Sequence, residues 1–235
     1  MSTKLKIAAA VAAAVLLSAC SSPKHEPMPL VNFTPSMEVT EVWSKGLSSA
    51  EGFLVPAVYD DMVFAAGGKT LTRLNARTGE TEWSVSFDSP ITGGVGSDGY
   101  VTAVGLWDGN LEVVDAEGKV SWEKKLTTEL ASPPVVSHGL VIARTMDTRV
   151  SAFEASSGEL QWTYQKSQPA LTVRLPTRML AHDNFLLVGQ PNGHIVILDI
   201  ASGKPVFEFQ VAQAKGVTEV ERLVDLSLIH ISEPT

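Results

Sequence analysis

The 235-residue sequence contains one cysteine, Cys20, so no disulfide within the chain can brace its fold. Its N-terminal apolar run, residues 7–17, is eleven residues long, too short to cross a bilayer core as a helix. Positive charge is scarce. Eighteen Lys and Arg against 26 Asp and Glu give a net charge of −8, the wrong sign for holding a phosphate backbone, so nucleic acid is not a partner. Five histidines are present, and no pair of them has metal-ligand spacing. His25 precedes the first strand-like segment, His138 and His182 fall in turns, His194 opens a strand and His230 lies near the end. A GxSxG elbow and a P-loop are both lacking, and the repeated body shows no 3.6-residue period.

What the chain does have is a repeat. Residues 71–87 (LTRLNARTGETEWSVSF) recur as 111–126, 150–166 and 195–211. The turn glycines Gly79, Gly118, Gly158 and Gly203 are spaced 39, 40 and 45 residues apart, and each is followed four residues later by an aromatic: Trp83, Trp122, Trp162 and Phe207. A period near forty with four short strands per unit predicts an all-β protein, a β-propeller of four-stranded antiparallel blades.

The third unit shows the pattern best. Residues 133–136, 140–144, 149–153 and 159–164 read as strands, separated by Ser137-His138-Gly139, by Met146-Asp147-Thr148 and by residues 154–158. Strands are β-branched and apolar, whereas the turns collect Asp, Asn, Ser and Gly. Asp60, Asp61, Asp108 and Asp147 are accordingly turn formers rather than catalytic pairs. The blades are placed at 54–88, 91–126, 131–166 and 176–211. Each Trp is expected on the outermost strand, packed into the seam between blades, with the preceding Gly left-handed and Asn75, Asp115, Glu154 and Asp199 capping its turn. Gly94-Val95-Gly96-Ser97-Asp98-Gly99 matches the dinucleotide fingerprint formally. It is read as strand and blade turn, because no helix N-terminus follows to hold a pyrophosphate.

At the N-terminus, Lys4 and Lys6 precede the apolar run, which ends in Leu17-Ser18-Ala19-Cys20. This resembles the lipobox of bacterial lipoproteins, which implies cleavage of residues 1–19, lipidation of Cys20 and, with Ser21 next, delivery to the periplasmic face of the outer membrane. The mature chain would keep 16 basic and 26 acidic residues, a charge of −10. Residues 20–37 include Pro23, Pro27, Pro29 and Pro35 and read as an extended tether.

The repeated order of acid or Asn, Ala, a short turn, Gly and, four residues later, Trp resembles the tryptophan-docking repeat of pyrroloquinoline quinone dehydrogenases and their non-catalytic relatives. Together with the lipobox and proline-containing tether, residues 17–225 resemble the BamB family of outer-membrane lipoproteins in the β-barrel assembly machine. The resemblance implies a non-catalytic scaffold that needs no cofactor or metal, docks on BamA within the barrel assembly complex and assists insertion of β-barrel proteins. Unfolded barrel clients are further possible partners. It assigns partner contacts to Leu171, Val173 and Arg174 in the long connection 166–176, although Leu171 and Val173 could instead fold back onto the blade edge. It assigns another to Asp225, with Ser227 standing where a second acid is expected.

The alternatives are a quinoprotein dehydrogenase, whose adjacent cysteine pair has no counterpart here, and a generic periplasmic propeller binding peptide or glycan. The resemblance also implies an eight-bladed ring, of which about four blades are legible within 38–225. Residues 38–46, with Trp43 in a docking-like position, read as the ring-closing strand. Residues 226–235 (LSLIHISEPT) show no blade pattern and read as a non-native, adaptor-derived tail, which leaves His230 without a function. A half ring would expose apolar faces and a strand edge, so poor solubility is expected of the 235-residue product.

Overall fold

The computed structural model describes residues 37, 39–48, 54–166 and 178–213. Met37, Val39 and Thr40 belong to a separate unit; they are exposed and carry no regular structure. Within the unit Glu41–Thr235 the described residues form sixteen strands. They are β1 (Ala57–Tyr59), β2 (Met62–Gly67), β3 (Thr70–Asn75), β4 (Thr81–Ser86), β5 (Ile91–Ser97), β6 (Thr102–Leu106), β7 (Asn110–Val114), β8 (Val120–Lys125), β9 (Val135–Ser137), β10 (Leu140–Arg144), β11 (Val150–Glu154), β12 (Leu160–Tyr164), β13 (Leu180–His182), β14 (Phe185–Gly189), β15 (His194–Asp199) and β16 (Pro205–Gln210). Consecutive groups of four make four separate antiparallel sheets in simple sequential order, the blade architecture read from the repeat.

Burial grades across each blade. All five residues of β6 and of β10 are buried, so these strands are apolar along their length rather than alternating. Outer strands β4 and β8 alternate between exposed and half-buried positions, which fits one face on a neighbour and one in water. The core is a series of seams. Phe64, Leu71, Ile91, Val104 and Leu106 fill the first; Leu111, Val113, Val141, Ala143 and Phe153 fill the second. Ile142, Val150, Trp162, Leu186, Val196 and Leu198 fill the third. Each seam joins two successive sheets, so the sheets stack like the blades of a propeller.

The outer hairpin of every blade carries an irregularity at the same place. The register slips between Arg73 and Leu74, Val113 and Val114, Ala152 and Phe153, and Ile197 and Leu198. One extra residue, Glu82, Ser121, Gln161 or Val206, thus precedes the aromatic each time. A bulge here turns the outer strand and aims the following side chain along the seam.

One expectation is corrected. The first strand of the third blade starts at Val135, not at residue 133, since Pro133 and Pro134 have no N–H to give a ladder. They pack instead on β5, where a Cβ on Gly96 would stand 1.9 Å from the Pro134 carbonyl oxygen and one on Gly94 would stand 2.7 Å from the Pro133 ring. Gly94 and Gly96 of the fingerprint therefore serve close backbone approach within a strand, and Gly99 lies in the turn that follows. Residues 41–45 of the expected ring-closing segment belong to none of the four sheets, and among the described residues no strand follows the fourth blade to pair with them.

Candidate functional site

Two features organise the chain's chemistry: the seams that lock the blades, and the end of the blades where the connections gather. In each seam a tryptophan donates from Nε1 to a main-chain carbonyl of the following blade's turn. Trp43 reaches Ala76 at 2.8 Å, Trp83 reaches Ala116 at 2.9 Å, Trp122 reaches Ala155 at 2.8 Å and Trp162 reaches Ile200 at 2.8 Å. The same indole lies flat on that turn's glycine. A Cβ on Gly79, Gly118, Gly158 or Gly203 would come within 2.4–2.8 Å of Cδ2 of Trp43, Trp83, Trp122 or Trp162 respectively. All four glycines have positive φ, 72°, 81°, 71° and 68° in chain order. Glycine is required twice over, by backbone conformation and by the ring.

Three of the four turns are capped as expected. The Asn75 Oδ1 accepts from the Arg77 and Thr78 amides, Asp115 Oδ1 from Glu117 and Lys119, and Asp199 Oδ1 from Ser202. Hydrogen bonds from Ser202 hold the Asp199 carboxyl below the ordinary range. Glu154 departs from this pattern. Its longer side chain accepts from the Ser156 hydroxyl at 3.5 Å and takes no backbone amide. Phe207 departs too. Its side chain has no N–H to donate, is 59% exposed and packs on Phe209 with ring centroids 5.9 Å apart; no later sheet follows among the described residues.

The segments that leave the first, second and fourth blades run beside the second turn of their own blade. Phe87 N bonds Lys69 O at 2.9 Å, Leu126 N bonds Gly109 O at 3.0 Å and Val211 N bonds Gly193 O at 2.9 Å. Lys166 follows β12, whose last residue Tyr164 pairs with Val150 at the start of β11; Arg178 precedes β13. Both flank residues 167–177 at this same end of the blades. Leu171, Val173, Arg174 and Asp225 themselves lie outside the described residues, as does Cys20.

Around these connections acidic and basic side chains are interleaved. Asp147 is held by Thr145 Oγ1 and by Thr127 Oγ1, the latter at 2.9 Å. Burial opposes its ionisation, but those hydroxyls, the Arg149 amide and the Arg149 charge outweigh it and keep the carboxyl below its usual range. Lys166 pairs with Glu208 at 2.5 Å and so ties the third blade to the fourth. Large apolar side chains at the second turns, Trp107 and Met146, were not singled out from the sequence. The available signal was their shared turn position in consecutive blades.

A hollow of about 460 Å³ lies along the innermost strands, lined by Ala57, Val58, Val95, Ser97, Val135, Leu180, Arg178 and neighbouring prolines. Among the described residues its lining contains no carboxylate, imidazole or thiol, side-chain donors common at divalent-ion sites. Among the described residues no three His, Cys, Asp or Glu cluster as a metal site.

Four-stranded antiparallel blades, each keyed to the next by a tryptophan on a left-handed glycine, define a β-propeller of the tryptophan-docked, quinoprotein-like class. The family profile of the outer membrane protein assembly factor BamB matches residues 67–229, and the chain belongs to that family. The Burkholderia pseudomallei outer membrane protein assembly factor BamB is 38% identical over 225 residues, which is 93% of this chain and 59% of that protein. The crystal structure of BamB from Moraxella catarrhalis has a TM-score of 0.65 at 29% identity, covering 72% of this chain and 52% of that one. The chain therefore spans between half and three-fifths of the length of these relatives. Quinohemoprotein alcohol dehydrogenase from Comamonas testosteroni, at 20% identity and a TM-score of 0.53, covers 70% of this chain and 35% of that one and shares the fold alone.

Proposed function

We propose that this chain acts as a non-catalytic scaffold of the outer-membrane β-barrel assembly machine, docking on BamA and assisting insertion of β-barrel proteins. Cys20 carries the lipid that anchors it to the periplasmic face of the outer membrane. Leu171, Val173, Arg174 and Asp225 make the partner contact. The observation that carries the reading is the family match over residues 67–229. The arrangement of groups supports it further. The recurring tryptophans of the first three blades and the glycines they lie on are occupied in holding blade to blade, which leaves the connections free to vary and to bind. The axial hollow offers valines, prolines and one arginine, a poor setting for the calcium that accompanies a quinone.

Copurification tests this. BamA is captured from cells on the affinity-tagged chain carrying Arg174→Glu, with the unaltered chain as reference and membrane fractionation as a control for anchoring. Loss of BamA from the charge-reversed chain with fractionation unchanged is expected. Full recovery of BamA would sink the docking assignment, and a soluble fraction from Cys20→Ser equal to none would sink the anchor.

A further inference from the structure

Five tryptophans are present, and four of them, Trp43, Trp83, Trp122 and Trp162, are spent on the seams. The fifth, Trp107, stands on the turn between β6 and β7 and is 62% exposed. Its main-chain N donates to Pro90 O at 2.8 Å. Behind it, Asp108 caps the turn through the Asn110 amide at 3.0 Å. The indole is thus carried on a firmly bonded turn, with a rigid aromatic face offered to solvent. Met146 holds the same turn position in the next blade, its N donating to Glu129 O at 3.1 Å and to Thr128 Oγ1 at 3.0 Å.

Between the two turns lies a hollow of about 450 Å³ lined by Trp107, Asp108, Thr128, Glu129, Met146 and Asp147. Three of its six lining residues carry carboxylates and none is cationic. The nearby Lys125 bonds the Asp108 carbonyl oxygen and Arg149 stands 4.0 Å from Asp147, so three carboxylates face two neighbouring cations and the excess charge at the hollow is negative. An exposed ring face beside carboxylates is attractive to a desolvated cation, and a planar guanidinium stacks on the ring while its N–H groups reach the acids. An anionic lipid headgroup meets carboxylates of its own sign and is repelled.

We infer that this hollow docks a basic, extended segment of a partner polypeptide, with an arginine or lysine side chain laid on Trp107 and an apolar neighbour on Met146. The assignment stands on the hollow's own lining and is independent of the BamA contact placed at Arg174.

The test is a titration of the full chain, in mild detergent, into a neutral-dye-labelled acetyl-GRLRG-amide peptide followed by fluorescence anisotropy. The same titration uses acetyl-GELEG-amide for comparison. Saturable binding of the arginine peptide is expected, weakened by raising salt from about 50 to about 500 mM, with little binding of the glutamate peptide. Trp107→Ala is expected to weaken the arginine peptide about fivefold or more, as loss of a cation–π contact and its apolar area requires. Asp108→Asn, which keeps the turn cap, is expected to weaken it less. Equal binding of both peptides, an apolar-only response, or unchanged affinity in Trp107→Ala would each overturn the assignment. Comparing the two peptides on the unaltered chain needs no variant to fold.

Discussion

Arg73 and Trp83, directly opposite one another on β3 and β4, donate to the same acceptor: Arg73 Nη1 and Trp83 Nε1 each lie 2.9 Å from the carbonyl oxygen of Ala116. The guanidinium also stands 5.8 Å from the centre of the Phe64 ring and pairs with Glu82 at 2.6 Å. In the next blade Val113 takes the place of Arg73, so the Ala155 carbonyl has Trp122 as its side-chain donor. The two seams should respond differently to the same loss. Trp83→Phe leaves Ala116 with Arg73 as donor and is expected to cost about 1 kcal/mol. Trp122→Phe strands a buried carbonyl and is expected to cost about 2 kcal/mol. Joint removal in Arg73→Met, Trp83→Phe should exceed the sum of the singles. Urea unfolding of the parent, Trp83→Phe, Trp122→Phe, Arg73→Met and the double variant measures this, and equal costs for the two single tryptophan changes would refute the shared acceptor.

The repeat, the turn glycines and the docking tryptophans were legible in the sequence because each answers a local chemical demand that recurs. A left-handed turn selects Gly, and a flat seam selects Trp. The partners were not legible. Trp83 bonds a carbonyl 33 residues further along, and any residue type supplies a carbonyl, so the sequence marks the donor and hides the acceptor. The bulge was hidden for the same reason, since Glu82, Ser121, Gln161 and Val206 share no chemistry. Trp107 was hidden by the opposite cause: its conformation suits many residues, and only its exposure distinguishes it.

Gly118 and Gly139 both have positive φ, 81° and 72°, yet a Cβ would meet Trp83 Cδ2 at 2.7 Å in the first case and nothing within 4 Å in the second. Gly139→Ala therefore reports backbone strain alone, about 1 kcal/mol. Gly118→Ala adds displacement of the docked indole and is expected to cost about 3 kcal/mol. Thermal melts followed by near-ultraviolet circular dichroism distinguish them, because only Gly118→Ala should alter the tryptophan signal of the folded state. A tryptophan signal unchanged in Gly118→Ala would mean that the ring does not lie on this turn.

Glu154 occupies the turn position at which Asp115 and Asp199 cap backbone amides, and its longer side chain accepts only from the Ser156 hydroxyl. Shortening it by one methylene in Glu154→Asp brings a carboxylate oxygen within reach of the turn amides at unchanged charge. A gain of about 0.5–1 kcal/mol is expected. A midpoint in urea equal to or below that of the parent would show that the third turn has a geometry the other two do not share.

Glu112 on β7 stands opposite Glu123 on β8 and is buried. Burial, then the charge of Glu123 and a hydrogen bond with it, then Asp108 and Asp88, raise its pKa from 4.5 to about 7. A carboxyl raised in the folded state binds its proton more tightly there than in the unfolded chain. Stability is therefore lost as pH rises from about 4.5 to about 7, the loss being complete above that window and absent below it. Glu112→Gln keeps a donor toward Glu123 and cannot ionise. Allowing for solvent screening of a group near the blade's outer strand, the variant is expected to gain about 1 kcal/mol, or 2–4 °C in Tm, at pH 8. At pH 4 both forms are neutral and the melts should coincide. A parent Tm that climbs between pH 5 and 8 relative to the variant would reverse the sign and exclude a shared proton between these two strands.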